Sequence, residues 1–293
     1  MARRRPPTVH GLAVVDKPAG VTSHDVVAMM RRRLGERRVG HAGTLDPDAT
    51  GVLLVGVGNA TRLLRFLTAL GKTYTAEVVF GTETNTLDAA GEVTATHDMT
   101  GLTEQRVRAA VVDHLTGPIM QVPPMVSALK VDGRRLHELA REGIEVEREP
   151  RPVTVHRFDV WPTDDSLVYR IEVQCSSGTY IRSLAADLGH LVGGGAHLRS
   201  LRRTACGSFD EAQAASPDEA PLLSPAAAMR DYPHVAVDSD TVVLVRNGRS
   251  LPAWDGDGPW AVCGPDGELV AMYERVDART AKPAVVLPAP GAD

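Results

Sequence analysis

One stretch gathers side chains that can do chemistry: Gly40-His41-Ala42-Gly43-Thr44-Leu45-Asp46-Pro47-Asp48-Ala49-Thr50-Gly51. It offers two carboxylates, an imidazole and a hydroxyl. A carboxylate serves as nucleophile or base, and an imidazole as proton carrier or ring contact. Three glycines and a proline make the stretch a loop, where Asp also commonly caps turns. The apolar run Val52-Leu53-Leu54-Val55-Gly56-Val57-Gly58 follows and reads as a buried strand. A loop pinned to a core strand is a good platform for reactive groups.

The elements that must position this loop can be read in order. Gly11–Val15 reads as a strand. Ser23 is the expected cap of a helix over His24–Leu34, with Asp25 in its first turn, Arg31 to Arg33 in its last and Gly35 as its stop. Asn59 is the expected cap of a helix over Ala60–Leu70. Lys72–Gly81 reads as a strand, Thr82–Gly91 as a loop, and Thr103 starts a helix to about Leu115. Gly117–Pro152 carries five prolines and a basic-hydrophobic helix near Arg134–Arg141, and reads as an excursion from the core. Arg151–Val160 and Leu167–Cys175 read as strands. A helix opens near Gly178–Leu184 and runs to about Val192. Ala196–Phe209 reads as a further strand region. Residues 212–228 resemble a linker, although Leu222, Leu223 and Met229 point to docking on the core. After Pro233, turns at Asn247-Gly248, Asp257-Gly258 and Asp266-Gly267 indicate a small β-rich domain.

Composition excludes several classes. No run of 18 apolar residues exists, so no transmembrane helix is expected. Cys175, Cys206 and Cys263 lie far apart, which fits a reducing cytoplasm better than a disulfide framework or a zinc site. The net charge of −5 argues at first against a nucleic-acid partner. Its distribution does not: residues 205–293 hold six Lys/Arg against fourteen Asp/Glu, while residues 1–204 hold 26 against 23. A basic face remains available outside the tail. Gly56-Val57-Gly58-Asn59-Ala60-Thr61 lacks the third glycine of a dinucleotide loop. His137-Glu138-Leu139-Ala140-Arg141 has Arg where a zinc protease needs its second His. Neither a P-loop nor a G-x-S-x-G elbow is present.

The loop around Asp46, the Lys72-x-Tyr74 strand and Cys175-Ser176-Ser177-Gly178-Thr179-Tyr180-Ile181-Arg182 occur in the order and spacing of pseudouridine synthases. Gly11–Asp25, Gly81–Gly91 with Thr86-Leu87-Asp88, Pro123–Ile144 and Gly195–Thr204 match too. Over residues 10–232 the chain resembles the bacterial tRNA pseudouridine synthases of the TruB type, which modify the T-loop uridine at tRNA position 55.

The resemblance implies an α+β fold with a mainly antiparallel mixed sheet flanked by helices. The catalytic domain would span 1–232, with an RNA-clamping thumb at about 120–150 and a PUA-like domain at 233–293. It implies Asp46 as the catalytic carboxylate, attacking C1′ or C6 or deprotonating C2′. Tyr74 would stack on the base and help remove the C5 proton. Arg182 would pair with Asp46, hold it ionised and lower its pKa. His41, Tyr180 and Leu201 would contact the substrate. Lys130, Arg134, Arg199 and Arg202 would grip the RNA, as would Arg203 and the Arg31–Arg38 cluster. Uridine isomerisation neither adds nor removes atoms, so no metal, redox cofactor or nucleotide is expected. The family suggests a monomer. Two other readings share these residues: a non-catalytic tRNA-binding factor on the same scaffold, and a glycosidase or nucleosidase offering Asp46 and Asp48 as its carboxylate pair. Asp48 stands where relatives often carry an apolar residue, and it reads as a turn aspartate. Lys72 is open between a structural and an RNA-contacting role.

Overall fold

The computed structural model describes residues 7–289 except 128, 132 and 145, with the backbone alone at 130, 131, 135, 137, 140 and 141. The chain begins β1 (Gly11–Lys17), α1 (Ser23–Leu34), β2 (Val39–Ala42) and β3 (Thr50–Val57), then α2 (Leu64–Ala69) and β4 (Lys72–Phe80). There follow β5 (Thr82–Thr84), β6 (Val93–Thr96), α3 (Glu104–His114), β7 (Gly117–Gln121), β8 (Lys130–Val131), β9 (Arg134–Arg135) and α4 (Leu136–Arg141). Next come β10 (Arg151–Pro162), β11 (Val168–Cys175), α5 (Ile181–Leu191), β12 (Ala196–Cys206), β13 (Phe209–Asp210), β14 (Leu222–Leu223) and α6 (Pro225–Ala228). The last part holds β15 (His234–Ala236), α7 (Ser239–Arg246), β16 (Leu251–Pro252), β17 (Trp260–Cys263), β18 (Leu269–Arg275) and β19 (Thr280–Val286).

Among the described residues, ten strands form one sheet in the order β14-β1-β3-β12-β4-β11-β10-β7, with β2 added to β3 and β13 to β12. Every pairing is antiparallel except β3 with β12, so the sheet is mixed and mainly antiparallel as expected. β4 lies between β12 and β11 and alternates strictly. Lys72, Tyr74, Ala76, Val78 and Phe80 are buried, and the residues between them are half-exposed. That parity puts Tyr74 on the core face beneath α5. α5 is apolar at Ile181, Leu184, Ala185 and Leu188, yet also buries Arg182 and Ser183. A buried arginine on such a helix needs partners, and the site supplies them.

Local sequence accounts for most element ends. Thr22, one residue before the expected Ser23, caps α1: its hydroxyl accepts from Asp25 N at 3.1 Å, and the Asp25 carboxylate accepts from Thr22 N at 2.9 Å. Ser23 instead turns inward to the Asp46 loop. Gly35 ends the helix at φ +60°. The expected helix over 60–70 is a 3₁₀ turn (Gly58–Leu63) leading into the shorter α2. Val57 before the turn offers no side-chain cap, and Asn59 accepts from Arg38 instead. The excursion starts later than its prolines suggest, because β7 pairs with β10 at the sheet edge. Pro118 is tolerated there as an edge residue. Leu222–Leu223 adds a strand beside β1 and Met229 is fully buried, so residues 212–229 dock on the core.

β15-β17-β18-β19-β16 form a second sheet. Asn247-Gly248 closes α7 rather than a hairpin, since Asn247 donates both backbone and side chain to Val243 O. Ala261, Cys263, Leu269, Met272 and Leu287 share one buried cluster with Leu12, Val14, Leu54, Phe66 and Leu67 of the main sheet and α2. Arg62 donates to Val286 O at 2.6 Å, and Arg65 pairs with Glu274 across the same seam. No described helix is long and apolar enough to cross a membrane.

Candidate active site

The Asp46 loop is bolted down before its carboxylate does anything. Lys17, fully buried, donates to the carbonyls of Pro18, Val21 and Pro47 at 2.8, 2.7 and 2.8 Å. Ser23 Oγ accepts from Leu45 N at 2.9 Å and donates to Leu45 O at 3.2 Å. Arg203 donates to Gly43 O at 3.2 Å and Val52 O at 2.6 Å, joining both ends of the loop to β12. Gly51, at φ +100°, has no room for a side chain, because a Cβ would sit 2.2 Å from Arg203 O. These ties fix the backbone on both sides of Asp46.

Arg182 meets the Asp46 carboxylate with two nitrogens, Nε to Oδ2 at 3.0 Å and Nη2 to Oδ1 at 3.2 Å. This fork geometry fixes direction as well as distance. The same guanidinium donates to Thr86 O at 2.9 Å and Val126 O at 2.7 Å, and lies 3.4 Å from Asp88 Oδ2. Asp88 is itself fixed, accepting from Thr86 Oγ1 at 2.6 Å and Ala90 N at 3.1 Å. The Arg182 side chain is 5% exposed and that of Asp46 41%, so Asp46 looks outward from a buried anchor. Burial pushes the Asp46 carboxyl above its ordinary range, with Asp88 and Asp48 adding to the rise. Arg182 and Lys17 oppose it. Arg182 thus pulls downward as expected, but burial outweighs it and the net direction is up.

Asp46 opens on a cleft of about 260 Å³ lined by Tyr74, Tyr180, Arg182, Leu201, Arg203, Lys72 and Ser127, among others. The apolar wall is Leu201, the aromatic walls Tyr74 and Tyr180. Burial raises the hydroxyl pKa of both tyrosines, while the Arg203 guanidinium pulls that of Tyr74 down and Ser127 that of Tyr180. Tyr180 precedes α5, and the amide of buried Gln121 holds its backbone, accepting from Tyr180 N at 2.8 Å and donating to Tyr180 O at 3.0 Å. Asp46, Tyr74, Arg182, Tyr180 and Leu201 therefore converge from four separate segments of chain.

The remaining expected residues lie elsewhere. His41, in β2, does not line the cleft. Its ring meets that of His24 edge-on at 5.2 Å, and burial, His24 and Arg203 lower its pKa to about 4, so it is neutral. Arg199 pairs with Glu77 at 3.6 Å. Arg202 forks onto Asp16 at 3.1 and 2.9 Å and also binds Glu211. Arg134 pairs with Glu142, and the Lys130 side chain lies outside the described residues. Lys72 is buried and donates to Thr68 O and Leu70 O at 2.5 and 2.6 Å, which gives it a structural role closing α2. Arg203 is 1% exposed and faces the cleft, not the surface where its neighbours suggested an RNA contact. Asp48 is exposed, and it is Asp88 that shares Arg182 with Asp46. Asp88, Gln121 and Lys17 had no role assigned from sequence. Thr86-Leu87-Asp88 stood out only as a matching block in a polar loop.

The sheet, the loop at its head and the carboxylate–arginine fork define a pseudouridine synthase. The chain belongs to the TruB family: the model for "TruB family pseudouridylate synthase (N terminal domain)" matches residues 31–181. The model for "tRNA Pseudouridine synthase II, C terminal" matches residues 232–288, and that for "tRNA pseudouridylate synthase B C-terminal domain" matches 182–219. The tRNA pseudouridine synthase B of Rhodococcus jostii is 49% identical over 95% of this chain and 94% of its own. Those of Mycolicibacterium paratuberculosis and Mycobacterium tuberculosis are 47% and 45% identical over 95% of this chain, and over 98% and 96% of their own. Among solved structures, an H/ACA RNP bound to a substrate RNA containing 2′-deoxyuridine shares the fold at TM-score 0.70 and 23% identity, covering 96% of this chain and 85% of that one. A Cbf5-Nop10-Gar1 complex does so at TM-score 0.71 and 24% identity, covering 95% and 83%.

Proposed function

We propose that this chain isomerises the T-loop uridine at tRNA position 55 to pseudouridine, with Asp46 as its catalytic carboxylate. The observation that carries this is the Asp46–Arg182 fork opening on a cleft walled by Tyr74, Tyr180 and Leu201. The N1–C1′ bond breaks, the base turns over, and C5 bonds to C1′. Asp46 attacks C1′ or C6 or takes the C2′ proton, and each route needs its carboxylate charged. Arg182 aims that charge into the cleft. The Tyr74 ring stacks on the loosened base, an interaction worth roughly 1–3 kcal/mol that leaves the base free to rotate. Leu201 and Tyr180 close the sides.

The cleft has room for one nucleotide, so the uridine must leave its stack at a cost of a few kcal/mol. Contacts to the RNA backbone from the thumb at about 120–150 supply that cost, with His41 beside the space the base vacates. Arg134, Arg199, Arg202 and Lys130 are the candidate grips, the first three exchanging carboxylate partners for phosphate. The protein works as a monomer in the cytoplasm.

The test is one unmodified tRNA transcript incubated with wild type and with Asp46→Asn, with binding followed in parallel. Pseudouridine at position 55 with wild type alone, and binding by both, supports the reading. Tight binding without product from either would make the protein an RNA-folding factor. Full activity of Asp46→Asn would remove Asp46 from the chemistry.

A further inference from the structure

Arg203 presents an imbalance. Its neighbour Arg202 is paired with two carboxylates, whereas Arg203, among the described residues, has no carboxylate at ion-pair distance. It is nonetheless one of the most deeply buried large side chains. A guanidinium taken out of water without an anion is costly unless carbonyls satisfy its donors, as they do for Lys17. Two of its nitrogens are spent on Val52 O and Gly43 O. Arg203 and Tyr74 are direct cross-strand partners on β12 and β4 and both line the cleft, and the Arg203 charge opposes the rise that burial imposes on the Tyr74 hydroxyl. Lys72, two residues before Tyr74 on the buried face of β4, is committed to the carbonyls of Thr68 and Leu70.

We infer that Arg203 is a positioning residue for the last chemical step, holding the Tyr74 oxygen in place and balancing the negative charge it carries while the C5 proton is removed. The inference rests on the proposed isomerase reading. Once C5 is bonded to C1′, the ring holds a C6=N1 double bond and a proton on C5. Tyr74 gives its phenol proton to N1, and the C6=N1 pair moves to N1. The C5–H pair becomes the C5=C6 double bond as the tyrosinate takes the C5 proton. Tyr74 ends as it began, and no co-reactant is consumed. Between the two transfers the phenolate sits in a buried cleft, where a guanidinium fixed by two backbone carbonyls acts as preorganised counter-charge.

The test compares single-turnover rates on tRNA transcripts carrying hydrogen or deuterium at C5 of the target uridine. Wild type is expected to show little isotope effect if earlier steps limit the rate. Arg203→Met, which removes a support and not the proton carrier, should be about tenfold slower, less than the loss of the proton-transfer group itself, and should expose a C5 isotope effect. Arg203→Lys, which keeps the charge without the fork, should fall between. Tyr74→Phe should expose the same effect, and Arg203→Met should add little to it in the double variant. Thermal unfolding and tRNA binding check each protein; if Arg203→Met does not fold, Arg203→Lys and Tyr74→Phe decide. Equal slowing on both transcripts, or multiplying losses in the double variant, overturns the inference and leaves Arg203 as a loop anchor. A wild type that makes no pseudouridine at all fails the isomerase reading instead.

Discussion

The Asp46 loop and the segment from Val122 to Arg148 face each other across Arg182, but they are held very differently. The loop is tied by Lys17, Ser23, Arg203 and Arg182, mostly through buried side chains reaching backbone atoms. Among the described residues, the facing segment is bonded to the core by Arg182 to Val126 O at 2.7 Å and Ser183 to Val122 O at 2.9 Å, while Arg148 to Pro123 O at 3.2 Å lies within the segment. Its ion pair between Arg134 and Glu142 lies in solvent and contributes little. Bond-making geometry has to be exact before substrate arrives, so its supports are internal and numerous. A surface proposed to grip RNA gains from giving way.

If that contrast is right, damage to the loop should appear in the chemical rate and damage to the facing segment in binding. The largest effect is expected for Asp46→Asn, which should lower kcat by about a thousandfold or more while tRNA still binds, as loss of a covalent or basic group does. The folded state raises the Asp46 pKa, so ionisation of this group works against folding above the ordinary carboxylate range. Asp46→Asn should therefore not lower the melting temperature at neutral pH. Arg182→Met comes next. It frees two carboxylates and two carbonyls, so kcat should fall about a hundredfold and unfolding in urea should show a loss of roughly 2 kcal/mol.

Lys17→Met tests the loop's supports without touching the cleft. It removes three bonds to part-buried carbonyls, of which Pro47 O keeps its bond from Gly20 N, and should cost roughly 1–3 kcal/mol of stability and about tenfold in kcat, with KM nearly unchanged. Asp88→Asn sharpens the electrostatics. Activity needs the charged carboxylate, so rate falls as pH drops through the raised Asp46 pKa. Asp88 contributes to that rise, so the acid limb of the single-turnover profile should move to lower pH in the variant. An unmoved or upward-shifted limb would contradict the coupling. The smallest effect belongs to the grip: Arg134→Ala should raise KM about threefold and flatten the salt dependence of binding by about one phosphate contact, with kcat changing less than KM.

The same contrast decides what could be read from sequence. Tyr74 was named from its matching motif, and in the structure β4 alternates without fault, which fixes the side that faces inward. Asp46 and Arg182 were legible because each sits in a matching motif. Nothing local joins residues 46, 88 and 182, and their meeting is a product of chain topology. Arg202 and Arg203 look alike in a basic run. The register of β12, with irregularities at Leu198/Ser200 and Arg203/Ala205, sends one to surface carboxylates and the other under the cleft. Asn247-Gly248 has the composition of a hairpin turn, but α7 before it turns the pair into a helix end. The sign of the Asp46 shift was not legible either, because burial is a property of the assembled cleft.

The cluster shared by the second sheet and the main one has a practical consequence. Met272 and Leu287 fill the same interior as Leu12 and Phe66, so shortening the gene before Pro233 would expose that interior to water. The cut protein would aggregate, not survive as a smaller catalyst. Exchanging tails between relatives would likewise succeed only when residues on both sides of the seam travel together, which makes the two halves one unit of inheritance as well as of folding.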